Sequence, residues 1–286
     1  MKINLARIHI NWHTNHLAVL NFEIKINFAN FTKVSKYINP FEIINTFMMK
    51  RKIKLWMGNL LTNCNRLIAK YIRLKNHGFS IIANNCCGGM IYHDLGEQFH
   101  SPTINLFMLP LDFFIFLENF DEAICTPVNE IERDRSGEKP DYPLGEIRLR
   151  NGENIQIHFR HYTTFDSAKE KWENRCNRIN KDNLFILMEL GSYTSENYVK
   201  RFDSLPFENK ALITSKPFND IKSAIHIDIY GQGYKLGMIV ERLPGTVIRY
   251  LDLFDYIHWL NTGKIRHVRF YKSLLRKGKD KDLKNR

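Results

Sequence analysis

The stretch from Phe79 to Phe120, FSIIANNCCGGMIYHDLGEQFHSPTINLFMLPLDFFIFLENF, limits the fold more than any other part of the chain. Its opening apolar run, Phe79–Ala83, has the length and composition of a buried strand. Small polar and flexible residues follow, Asn84-Asn85-Cys86-Cys87-Gly88-Gly89, and a helix is expected from near Gly89 to Gly96. A second strand over Thr103–Met108 then leads through Pro110 into an apolar helix, Leu111–Phe120. A β-loop-α-β-α order of this kind opens an α/β sheet.

The rest of the body continues that alternation. Asp121–Pro143, rich in Glu, Asp, Arg and Pro, reads as a surface excursion. Glu146–Arg150 and Ile155–Phe159 alternate apolar and polar residues around Asn151-Gly152, the signature of a hairpin. Asp166 or Ser167 is expected to cap a helix reaching Asn180, and Thr194 or Ser195 another that ends at Pro206. Strands are expected at Leu184–Leu190, Ala211–Thr214 and Ala224–Ile229, and a last helix at Val247–Leu260, closed by Gly263. The fold class is therefore α/β, a three-layer α/β/α domain over residues 78–263, with a mixed, mostly parallel sheet that includes one β-hairpin.

Charge sets the ends apart from this body. Of the net charge of +12, residues 1–48 carry +3, residues 49–77 carry +8 and residues 264–286 carry +8, which leaves −7 for residues 78–263. An acidic body argues against nucleic acid as the partner, since a nucleic-acid-binding fold carries its basic face on the folded domain. Basic ends suit an anionic membrane surface or are simply solvated. Residues 1–48 have no glycine and no helical or strand period. They are expected to be a loosely ordered extension or to precede a natural start at Met48, Met49 or Met57. Residues 49–77 read as a basic amphipathic helix ended by Gly78, with Ile53, Met57, Leu60, Cys64, Leu67 and Tyr71 on one face. Such a helix either docks on the domain or lies in a membrane interface with Trp56 at the boundary. Residues 264–286 form a basic tail. Five cysteines without CxxC spacing fit a reducing cytoplasm better than a disulfide framework or a zinc ribbon.

Candidate chemistry gathers in the first loop. Between a strand and a helix N-terminus, Asn84, Asn85, Gly88 and Gly89 are placed to offer backbone amides to a phosphate or carboxylate. A tight structural turn is the simpler reading of the same residues, which match neither a P-loop nor GxGxxG. Cys86 stands where a strand-turn-helix nucleophile stands, with a thiol pKa open to lowering by the helix. His93, His158 or His161 would be its base and Asp94 the orienting acid. A buried, inert cysteine is the competing reading. His158 and His161 lie three apart on a strand and face opposite ways, so they do not form a chelating pair. His158 and Arg160 share a face and, with Arg148 or Arg150, would hold an anionic group. Arg175, Arg178 and Lys171 read as the wet side of their helix. The one Asp-x-Asp, Asp280-Lys281-Asp282, lies in the basic tail, and neither a metal nor a cofactor is expected.

The blocks SIIANNCCGG, YHDLG and SPTINLF, then IHFRHY, AKEKWENRCNRIN and DNLFILM, then LPFENKALIT, resemble an uncharacterised bacterial domain family of unknown function. Its members are often labelled exopolysaccharide biosynthesis proteins. The resemblance covers roughly residues 50–262 and implies a three-layer α/β fold, with no established reaction or catalytic residues to carry over. A bulky aromatic often stands in that family where this chain has Cys87, which leaves Cys86 the better candidate. What the resemblance implies is a cytoplasmic protein of cell-surface polysaccharide assembly. It would be either a glycosyl- or acyl-transferase using a nucleotide sugar or acyl donor, or a non-catalytic binding or scaffold protein.

Overall fold

In the computed structural model, which describes residues 72–227, 235–243 and 248–268, alternation along the apolar strands decides the layering. The elements in order are β1 (Ser80–Ala83), α1 (Cys87–Leu95), α2 (Pro110–Glu118), α3 (Phe120–Ala123), β2 (Asn129–Ile131), β3 (Leu144–Arg148) and β4 (Asn154–His158). Then come α4 (Phe165–Cys176), β5 (Leu184–Gly191), α5 (Glu196–Ser204), β6 (Asn209–Thr214), β7 (Ala224–His226) and α6 (Tyr256–Thr262). Strands β1-β5-β6-β7 form one parallel sheet in that order, and β2-β3-β4 an antiparallel sheet. Side chains alternate faces along a strand. Ile81, Leu187, Ala211 and Ile213 therefore pack with Ile91 of α1 and with Leu251, Trp259 and Leu260. Ile82, Ile186, Met188 and Leu212 pack on the other side with Phe113, Trp172, Val199 and Phe202 of α2, α4 and α5 and with Ile147 and Ile157 of the hairpin. The result is an α/β fold with a mostly parallel sheet covered on both faces.

The hairpin forms at the expected place, with Ile147 opposite Ile155 and Gly152 at φ 86. It belongs to its own sheet, whose third strand, β2, comes from the Asp121–Pro143 stretch read as a loop. Two points tie the sheets together. Phe107 and His158 exchange backbone hydrogen bonds of 2.9 Å each, and the Met108 N–H donates to Asn84 O beyond the end of β1 (2.9 Å). These are all that remains of the strand expected over Thr103–Met108. Asn105 sits at φ 63, in the left-handed region, which breaks an extended run. The free edge of β1 is closed by hydroxyls instead: the Ile81 N–H donates to Tyr92 Oη and the Ala83 N–H to Thr103 Oγ1, each at 2.9 Å.

Two other boundaries differ. The continuous helix expected over Val247–Leu260 is a 3-10 turn (Tyr250–Leu253) followed by α6, because Phe254 is extended and bridges to His267 while Asp255 caps the new helix. The cap of α4 is Thr164, not Asp166 or Ser167. Ser195 caps α5 as expected, accepting from the Tyr198 N–H. The extension 1–48, most of the basic helix (49–71) and the tail beyond Val268 lie outside the described residues. No helix among the described residues is long and apolar enough to cross a membrane.

Candidate functional site

The carboxyl ends of β1 and β5 lie side by side, and the loop leaving β1 is built around a carboxylate donated by β5. Asn84 continues the ladder with its side chain: its Nδ2 donates to Glu189 O and its Oδ1 accepts from Glu189 N, both at 2.9 Å. Asn85 turns the chain, its Oδ1 accepting from the Cys87 N–H at 2.9 Å, while its Nδ2 donates to Glu189 Oε2. Glu189 follows Phe185 and Leu187 on one face of β5, where the period calls for an apolar residue, and it is 0% exposed. The Gly237 N–H reaches Glu189 Oε2 at 2.9 Å and the Ile239 N–H reaches Oε1 at 3.2 Å. The pairing of β5 with β6 slips between Glu189 and Gly191, a bulge of the kind that re-aims side chains beside functional sites.

Glu189 thus brings a carboxylate beside the loop that leaves β1. The Glu189 carboxylate takes its hydrogen bonds from the Asn85 side chain and from the Gly237 and Ile239 backbone amides. The glycines serve packing. A Cβ on Gly88 would meet Ala83 Cβ at 3.0 Å and one on Gly89 would meet Ile104 at 3.4 Å, so α1 rests directly on β1 and on the segment beside it.

Cys86 is half-buried at the start of α1, its Sγ 3.9 Å from Leu106 O. Burial, and then the Glu189 charge, push its thiol above the ordinary range, the reverse of what a helix N-terminus alone produces. The proposed partners are not assembled around it. His93 lies near the far end of the nine-residue α1, about 10 Å along the axis from Cys86, and its side chain is 73% exposed. Asp94 is 3.9 Å from His93 Nδ1 and buried, held instead by Arg249 and by Tyr256 Oη at 3.3 Å. His161 is exposed, and its backbone N–H donates to Asn105 O.

His158 and Arg160 each approach Tyr142. His158 stacks on Phe107 (4.3 Å between centroids), its Nδ1 is 3.3 Å from Tyr142 Oη, and the Arg160 guanidinium lies 4.9 Å from the Tyr142 ring. Arg160 is paired with Asp141 at 3.2 Å, Arg148 with Glu146 at 2.7 Å. His158 is 4% exposed, and its Nε2 has no partner among the described residues. Burial pulls its pKa below the usual imidazole value, with the Asp134 charge opposing weakly. The folded state then binds fewer protons than the unfolded one, so stability present above the unfolded pKa is lost as pH falls through it. An NMR titration is expected to put the His158 midpoint below about 6.5; a midpoint at or above that value would contradict the burial.

Two functional candidates escaped the sequence reading. Glu189 was visible as the single charge in LFILMELG, a strand otherwise apolar throughout. Arg175 is 8% exposed rather than wet: it donates to Tyr162 Oη at 2.7 Å and lies 5.4 Å from the Phe99 ring. The Tyr162 hydroxyl donates in turn to Ile104 O (3.1 Å), and burial raises its pKa, with Arg175 opposing. Among the described residues, no group of three or more His, Cys, Asp or Glu side chains is placed to hold a metal ion.

Known proteins share most of this chain. A Haemophilus influenzae (strain Rd) protein, described as an uncharacterized protein, is 34% identical over 224 residues, which is 78% of this chain and 99% of that protein. The family model described as "Domain of unknown function (DUF1919)" matches residues 57–261, which takes in the loop around Cys86, Glu189 and both sheets. The chain belongs to the DUF1919 family.

Proposed function

We propose that the protein is a transferase of cell-surface polysaccharide assembly, exopolysaccharide or capsule, which takes a phosphate-bearing nucleotide-sugar or acyl donor at the cytoplasmic face of the membrane. The observation that carries this reading is the meeting of Asn85, Cys86 and the buried Glu189 carboxylate at the carboxyl ends of two neighbouring parallel strands. Ligands of open α/β sheets bind there, and a charge buried at such an edge is a functional-site candidate. The pathway comes from the sequence resemblance, and the membrane from the +8 charge of residues 49–77. A second reading, a non-catalytic binding or scaffold protein of the same pathway, is favoured by the raised Cys86 pKa and the distant His93.

Cells lacking the chain are expected to lose surface polysaccharide, and the purified protein to melt several degrees higher with its donor. Cys86→Ala separates the readings. If it lowers polysaccharide output tenfold or more while melting near wild type, the thiol takes part in transfer. Full output from Cys86→Ala, with output lost on deletion, would leave the scaffold reading. Unchanged polysaccharide in the deletion strain would remove the pathway altogether.

A further inference from the structure

At the outer edge of the parallel sheet, away from Cys86, a cavity of about 240 Å³ lies between β7, the crossover that joins β6 to β7, and the segment after α6. Its apolar lining is Pro217, Phe218, Ile221, Ala224, Ile225 and Ile265; its polar lining is Asn219, His226, Arg266 and His267. Among the described residues, no acidic side chain lines it.

The charge balance beside the cavity is positive for a structural reason. Asp255 binds two guanidiniums: Arg266 through Nε (2.9 Å) and Nη2 (2.7 Å), and Arg73 through Nη2 (3.3 Å). One carboxylate offsets two cations, so a net charge of +1 remains, and the Arg266 fork is held in place with its Nη1 donors uncommitted to Asp255. Lys216, Lys222 and Lys264 each adjoin a lining residue in the chain; Asp220, on the same crossover, is the acid that opposes them. The His258 pKa is lowered, first by burial and then by Arg266, with Asp255 opposing and Lys264 adding to it.

The walls are rigid. The Asp255 N–H donates to Arg266 O (3.0 Å) and the Val268 N–H to Leu253 O (3.0 Å), which fixes residues 266–268 against the turn before α6. His226 is paired in register with Thr214, on the outer strand of the sheet.

We infer that this cavity binds a phosphomonoester, its phosphoryl group among His226, Arg266 and His267 and its body on Phe218 and Ile225. The net +1 beside the cavity, the Arg266 Nη1 donors not used on Asp255 and the imidazoles in the lining suit an anionic phosphoryl group, and the apolar lining gives the remainder of a small ligand a surface to cover. The cavity is below the size of most drug-sized sites, which limits the body to about one sugar ring or less. The inference does not depend on transferase activity, since binding alone is claimed.

Calorimetric titration of the full chain at low salt tests it, with inorganic phosphate, glucose 1-phosphate and glucose as probes. Vesicles with and without phosphatidic acid distinguish a lipid phosphomonoester from a soluble one. Glucose 1-phosphate or phosphatidic acid is expected to bind, and glucose is expected not to. His226→Gln and His267→Gln should each weaken binding fivefold or more, and Arg266→Lys should weaken it less than Arg266→Gln. If Arg266 variants unfold through loss of the Asp255 contact, the two histidine variants carry the test. Absence of binding by both phosphomonoesters, or binding that His226→Gln and His267→Gln leave unchanged, overturns the inference.

Discussion

Asp94→Ala is expected to lower the stability of the fold by about 3–5 kcal/mol, the usual cost of breaking a buried ion pair by removing one partner. Asp94 is the acid that would orient His93 in a catalytic reading, but its surroundings assign it other work. Its carboxylate is buried on the inner side of α1 and receives Arg249 Nη2 and Tyr256 Oη. Arg249 is itself buried, and its second partner, Asp252, is more exposed. Alanine at position 94 would leave a guanidinium in the core facing one partly solvated carboxylate, and would release α1 from the residues around Tyr250–Leu253 and α6. Urea unfolding reads the effect directly. Asp94→Asn, which keeps an acceptor for Arg249 and Tyr256 but loses the charge, should fall between wild type and alanine. A catalytic Asp94 gives the opposite pattern: a large loss of function with the urea midpoint unmoved. An unfolding free energy within about 0.5 kcal/mol of wild type, the range of a neutral surface substitution, would reject the structural role.

What the sequence discloses about this fold follows from how local each cause is. Strand period is local, so β1, β5, β6 and the hairpin were legible from Ile81-Ile82, LFILM, Ala211–Thr214 and the residues around Asn151-Gly152. Partition of the strands into two sheets depends on which edges meet, and Phe107–His158 is a contact across 51 positions that no window spans. The break before α6 has the same origin. Residues 247–260 carry enough apolar positions for one helix, yet Phe254 is drawn into a bridge with His267, thirteen residues on.

The candidate site was half legible for the same reason. Asn84–Gly89 was found because a polar and glycine-rich run after an apolar strand is a local pattern, and its position at a carboxyl sheet edge is where the structure puts it. What lies beside that loop was not visible, since Glu189 lies more than one hundred residues downstream and meets it only when β5 pairs with β1. Arg175 was assigned to solvent on helical period alone; its burial comes from Phe99 and Tyr162, which approach from other parts of the chain.

Glu189 gives the other large expected effect. Glu189→Leu has the right polarity for its face of β5, and burial of the leucine side chain would contribute about 1.5–3 kcal/mol. Against that, the Gly237 and Ile239 N–H groups and Asn85 Nδ2 lose their acceptor. At about 1–3 kcal/mol for each buried donor left unsatisfied, the loss outweighs the gain, and a net destabilisation of about 2–4 kcal/mol is expected. Glu189→Gln keeps one acceptor oxygen but turns an NH2 group toward other donors, so it should lie between the two. The same substitution carries a signature that packing alone does not produce. Because the Glu189 charge helps hold the Cys86 thiol pKa up, Glu189→Gln should shift the pH profile of Cys86 alkylation to lower pH. Burial, the larger cause, keeps the midpoint above that of an exposed thiol. A Cys64→Ser, Cys125→Ser background removes Cys64, outside the described residues, and Cys125, the exposed cysteine among them, so that neither dominates the reaction. A profile that does not move on Glu189→Gln would mean that carboxylate and thiol are not electrostatically joined, and the paired site at the carboxyl edge of the sheet would lose its basis. A more stable Glu189→Leu protein would mean that the charge is held at a cost to the fold, as charges kept for function are.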